Sequence, residues 1–242
     1  MVDEARVRED LAAAFRWTAR LGLHEAVSNH FSVALGDGPE APFLIQPSGR
    51  HFSRVRASEL LKIGPDGEVL AGAAEPDPTA LHIHGSIHRQ VPAARCVLHT
   101  HMPYATALTC VHGLDLEPIS QNALRFYERV AWDEDFAGMA LDDDEGTRLA
   151  RALAGKPILF MGNHGVTVNG RDVAEAFDRL YFLERACEAQ VLAMSTGREL
   201  RRVDPETARL TRDQWEAYPD GPENHFAEIR AILDEESPGY RQ

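Results

Sequence analysis

The chain has 242 residues, 44% of them hydrophobic and 26% charged, a globular composition long enough to bury a sizeable core without covalent staples. A formal net charge of -13 with no basic run excludes a surface for nucleic acid or anionic membrane. No stretch approaches the ~20 apolar residues of a spanning helix.

In chain order, Leu11, Ala14, Phe15 and Leu21 among charges give residues 4–22 a helical period. Residues 29–35 (NHFSVAL) alternate as a strand. Asp37-Gly38 turns the chain into a second strand at 43–46 (FLIQ), which Pro47-Ser48-Gly49 ends. Ser58 caps a short helix to 62, and Pro65-Asp66-Gly67 is a turn before a strand at 68–70. Asp77-Pro78 has the form of an N-cap followed by proline in the first helical position, so a helix runs from 78 to about 90. Residues 94–101 (ARCVLHTH) form a buried strand, 103–111 a helix, and 121–130 a helical or mixed segment. A helix starts at Asp143 or Asp144 and stops at Gly155. The strand 157–161 turns through Gly162-Asn163-His164-Gly165 and returns at 166–168. A long helix, 171–195, carries Val173, Phe177, Leu180, Leu183, Cys187, Val191 and Met194 on one stripe. A last helix is expected at 225–235, with 236–242 a loose tail. With no repeat and no linker, this reads as one α/β domain over 1–242 with a central, mostly antiparallel sheet.

Cys96, Cys110 and Cys187 are odd in number and widely spaced, which argues against a disulfide framework or a thiolate zinc site and for a reducing, cytoplasmic location. The acidic start, MVDEARVRED, lacks the apolar segment of a secretory signal, so none is expected.

Eleven histidines are present. His99 and His101 end an apolar run two residues apart, and a strand period of two sets both rings on one face, able to share a cation. His164 sits in a glycine-flanked turn that can project its ring toward a neighbouring strand. Three neutral imidazoles with a position left open make a catalytic metal arrangement rather than a structural one. His24, His51, His112 and His225 take the ordinary reading, surface or hydrogen-bonded core residues, and an isolated HxH pair has that reading open to it as well.

The strings VSNHFSV (27–33), IQPSG (45–49), HIHGSIHRQVPAARCVLHTHMPYATAL (82–108), GNHGVTVNG (162–170) and the helix with YFLERACEAQVLAMSTGR together resemble the class II aldolase/adducin family, in order, from about residue 8 to 200. The resemblance implies a three-layer α/β/α domain with 201–242 as a C-terminal extension. It also implies a homotetramer with sites at subunit interfaces, and a divalent ion of the zinc type on His99, His101 and His164, with Mn2+ and Fe2+ as alternatives. The aldolases carry a Glu at the start of the helix before the HxH strand, and counting back from His99 places it at Ala80. His84, one turn on, is the local substitute for proton transfer, with a packed histidine the competing reading; Glu75 is a second candidate, and Tyr127 and Tyr104 are candidate proton donors. The family's Gly-Asn segment for anions corresponds to Ser28-Asn29, and the second such segment to Pro47-Ser48-Gly49-Arg50. There Ser48 and backbone N–H groups suit an anion, and Arg50 either grips a carboxylate or is solvated.

A cation on three histidines stabilises the enolate left when a carbon–carbon bond breaks. Aldol cleavage must also move a proton, whereas decarboxylation needs no base to break its bond, so alanine at 80 weakens the first and favours the second. The expectation is a metal-dependent lyase acting on a small hydroxy-carbonyl or hydroxy-acid substrate. The alternatives are a non-catalytic assembly protein like the adducins, disfavoured because all three histidines are kept, and an Fe(II) oxygenase.

Overall fold

The computed structural model of the chain describes residues 2–218 and 220–242. Among the described residues, eight strands form one sheet: β1 (His30–Ala34), β2 (Phe43–Ile45), β3 (Leu61–Ile63), β4 (Val69–Ala71), β5 (Cys96–Thr100), β6 (Val130–Asp133), β7 (Ile158–Met161) and β8 (Gly165–Gly170). Their order is β4-β3-β2-β1-β5-β8-β7-β6, and every pairing is antiparallel except β6 with β7.

Helices cover both faces, giving the three layers expected. On one face lie α1 (Glu4–Arg20), α3 (Pro103–Thr109), α6 (Val173–Ser195) and α8 (Gly221–Glu236); on the other lie α2 (Pro78–Gln90) and α5 (Asp143–Ala152). The period of two in the strands decides which residues meet which layer. Phe31, Val33, Leu98, Val166, Val168 and Phe160 pack toward α1 and α6, while Val97, Leu159 and Met161 pack toward α2 and α5. By the same alternation His30 and Ser32 of β1, and His99 of β5, lie on the α2 side. The β1–β5 register sets His30 directly opposite His99.

Local chemistry places the helix starts. Asp77 accepts from the backbone N–H groups of Thr79 and Ala80, with Pro78 in the first turn, and Asp172 accepts from Glu175 at the start of α6. Among the described residues no helix is long and apolar enough to cross a membrane.

Several elements differ from the sequence reading. The short helix expected at 58–62 is instead a 3-10 turn, Ala57–Glu59, followed by the strand Leu61–Ile63, and another 3-10 turn, Phe52–Arg54, precedes them. The mixed segment after 121 divides into α4 (Gln121–Leu124) and the strand β6. An additional helix, α7 (Pro205–Ala217), precedes α8; only Ala208 of it is buried, so it has no apolar stripe to betray it. The tail is fixed: Tyr240 is fully buried in a 3-10 turn and donates to Asp234 at 2.7 Å.

Candidate metal centre

β5 delivers His99 at its end, and the chain carries His101 just past it. The turn between β7 and β8 delivers His164, helped by Asn163 in the left-handed region at φ 54°. One nitrogen from each ring lies within 4.8 Å of the others. The ring centroids are 5.1 Å apart for His99–His101, 4.8 Å for His99–His164 and 5.0 Å for His101–His164. Gly165 makes this approach possible: a Cβ there would stand 2.6 Å from the Thr100 carbonyl oxygen and 2.7 Å from His101 Cδ2.

The protonation states suit a cation. His99 Nδ1 donates to the Val166 carbonyl at 3.0 Å, which leaves Nε2 bare. Burial, then the neighbouring imidazoles, holds His99 far below the usual range; burial chiefly pushes His164 down to about 4 and lowers His101. All three are therefore neutral near pH 7, as metal ligation requires. His101 Nε2 is buried with no hydrogen-bond partner. An orphaned buried nitrogen in a ring of neutral imidazoles fits a divalent ion, since a buried polar atom left unpaired is otherwise costly.

The family model of the class II aldolase and adducin N-terminal domain matches residues 9–191. The chain belongs to the class II aldolase and adducin family. A crystal structure of an aldolase II superfamily protein from Pseudomonas syringae is similar over 100% of this chain and 97% of its own, with 32% identity and a TM-score of 0.91. The decarboxylase NovR of Streptomyces niveus is 29% identical over 86% of this chain and 79% of its own length. Human beta-adducin is 33% identical over 82% of this chain, a match that spans 29% of the adducin.

Against this family background the other sequence candidates separate. Asn29 adjoins the triad: its Oδ1 accepts from the backbone N–H of Glu25 at 2.6 Å and of His101 at 3.4 Å, while its Nδ2 is buried and unpartnered. Ser28 is exposed beside it, with its backbone N–H on the Glu25 carbonyl. The Ser48 backbone N–H donates to the Glu75 carbonyl at 2.9 Å, and Gly49 takes a positive φ of 70° to turn the chain. Arg50 forms a two-pronged pair with Glu59. Glu75 has an exposed side chain. Tyr127 lies in the turn three residues before β6, with Arg209 5.8 Å over its ring, toward the end of the parallel β6–β7 pair opposite His164. Tyr104 is half-buried in the first turn of α3, where Glu184 receives its backbone N–H.

Ala80 is fully buried in a small apolar cluster with Ile45 and Leu61. His84 is also fully buried and does not open onto the triad directly. It bonds to His30 and to Ser32 at 2.7 and 2.5 Å. The sequence reading missed His30, Ser32 and His88 as site residues. The signal was present: His84 and His88 are spaced i, i+4 on α2, and His30 and Ser32 are spaced i, i+2 on β1.

Proposed function

We propose that this chain is a metal-dependent carbon–carbon lyase that decarboxylates a small hydroxy acid whose carbonyl, β to the carboxylate, takes up the electron pair left by carbon dioxide, with aldol cleavage of a hydroxy-carbonyl substrate as the second reading. The convergence of His99, His101 and His164 with one orphaned ring nitrogen carries the proposal. A divalent cation of the zinc type bound there would supply Lewis-acid electron withdrawal from a chelated hydroxy-carbonyl or hydroxy-acid group. Asn29 braces the loop that carries His101, and the Val166 carbonyl fixes the tautomer of His99.

The choice of decarboxylation rests on Ala80 and its packing. The position that counting back from His99 assigns to the aldolases' carboxylate holds a methyl group buried in an apolar cluster. An aldol reaction lacks its usual proton carrier there, while loss of carbon dioxide needs none for bond breaking. The likeness to a decarboxylase agrees. The family resemblance implies a homotetramer, and the exposed apolar side chains of Leu192 and Met194 on α6 and of Leu210 on α7 are available for contacts between subunits. Light scattering that gives the mass of one chain at micromolar concentration would reject that state.

The deciding experiment screens zinc-loaded protein against hydroxylated aliphatic and aromatic acids for released carbon dioxide, with aldehyde release followed in parallel. Carbon dioxide release that disappears in His101→Ala supports the reading. Aldehyde without carbon dioxide moves the assignment to aldol cleavage. Neither product, from a protein that binds other chains tightly, favours an adducin-like assembly role.

A further inference from the structure

Behind His99 runs a chain of buried polar groups that ends on a backbone carbonyl. His88 Nδ1 lies 3.0 Å from the Ala94 carbonyl oxygen, and its Nε2 lies 2.7 Å from Ser32 Oγ. Ser32 Oγ lies 2.5 Å from His84 Nδ1, and His84 Nε2 lies 2.7 Å from His30 Nδ1. The His30 ring then stacks on His99, centroids 4.7 Å apart with 29° between planes. Ser32 and His84 are fully buried, and His30 is 2% exposed.

The proton positions along this chain follow from one end. A carbonyl oxygen can only accept, so His88 Nδ1 carries a proton. Burial, with the Arg89 cation adding to it, pushes His88 down to about 4 despite the bond to Ala94, so near pH 7 the ring is neutral and its Nε2 bare. That nitrogen takes the single hydroxyl proton of Ser32. Ser32 Oγ then has only lone pairs for His84, so His84 Nδ1 donates and His84 Nε2 is bare. His30 Nδ1 donates to it in turn. Every link is thereby set, and a neutral His30, its ring stacked on His99, is left with a proton-free Nε2.

We propose that Ala94, His88, Ser32 and His84 act as a tautomer-setting chain, and that His30 Nε2 is the acceptor at the site for a hydroxyl on the substrate. The substrate class this selects is an acid with a hydroxyl group next to its carboxylate, in preference to a plain carboxylate, and with a carbonyl β to that carboxylate to take up the electron pair when carbon dioxide leaves. That class rests on the lyase reading above; the tautomer assignment does not. His30 binds the substrate, while His84, Ser32 and His88 are positioning residues. A neutral acceptor suits this place, because it takes a hydroxyl proton's hydrogen bond without competing as an anion for the cation.

The test uses the full chain with 15N-labelled histidine, metal-free and zinc-loaded, in long-range proton–nitrogen correlation spectra near pH 7. His30, His84 and His88 are each expected to carry the proton on Nδ1 and none on Nε2. A proton on Nε2 of His30 or His84 overturns the proposal. In Ser32→Ala, His84 and His30 should become tautomer mixtures while one zinc per chain is retained, and Ser32→Thr should restore the single form. Unchanged tautomers in Ser32→Ala overturn the chain as their cause; where that variant does not fold, the wild-type spectra decide alone. Glycolate should bind the zinc-loaded protein more tightly than acetate. That preference should fall about threefold to tenfold in Ser32→Ala, the worth of one hydrogen bond. An equal preference in both proteins refutes His30 as the hydroxyl acceptor. Failure to take up zinc counts against the lyase reading, while the metal-free spectrum still reads the chain.

Discussion

At the scale of single residues, charge and burial decide which side chains serve the site and which serve the fold. Arg50 is spent on Glu59, both half-buried, so its loss removes a partly exposed ion pair. Arg50→Ala is expected to cost about 0–1 kcal/mol of stability and to leave KM unchanged, measured by urea unfolding and by steady-state kinetics on the substrate the screen identifies. A tenfold rise in KM would put its guanidinium on the substrate. Ala80 differs in kind. Its methyl group is sealed among Ile45 and Leu61, so Ala80→Glu buries a carboxylate in an apolar cluster and should cost roughly 2 kcal/mol or more. Thermal denaturation checks this; an unchanged Tm would mean that the helix start opens to solvent more readily than its packing implies.

At the scale of elements, the turn between β7 and β8 is the part on which the triad depends most. Gly165→Ala sets a Cβ against the Thr100 carbonyl, which is backbone, and the His101 ring, so the side chain is the part that must shift. The expected result is a protein of lower Tm that has lost zinc, because His101 is pushed off the position it shares with His164. Zinc retained at one per chain would show that the turn relaxes without moving the ligand. This turn was legible in the sequence, since GNHG between two apolar runs marks it, and the HxH spacing marked its partner strand. What escaped were short or polar elements. β3 has three residues and β6 four, too few to show a period, and β6 is a parallel edge strand held by β7 and the stacking of Trp132 on Phe160 at 4.3 Å. α7 is polar on nearly every side and is held instead by Arg209 and Arg212 on Glu128 and by Trp215 beside Arg125. Of the tautomer-setting chain the sequence showed the two pairs by their spacing, His84 with His88 and His30 with Ser32, but not their connection. The pairs are apart in sequence, and only the β1–β5 register and the placement of α2 over β1 bring them together.

At the scale of the whole molecule, buried neutral histidines make stability depend on pH. His84 and His88 are both lowered by burial, His88 to about 4, whereas an unfolded histidine titrates near 6.5. Below about pH 6.5 the unfolded chain takes up protons that the folded chain refuses, so stability is fully present above that value and falls as the pH drops toward about 4. Each such histidine contributes a slope of roughly 1.4 kcal/mol per pH unit within that window. Urea midpoints of metal-free protein at pH 7, 6 and 5 should therefore fall steadily, and a flat profile would show that these rings are protonated in the fold. The central claim, one divalent cation on three histidines, is tested most directly by elemental analysis of zinc-loaded, untagged protein beside His101→Ala. The account predicts one zinc per chain in the first and close to none in the second, with His101→Ala still folded; equal zinc in both proteins would contradict it.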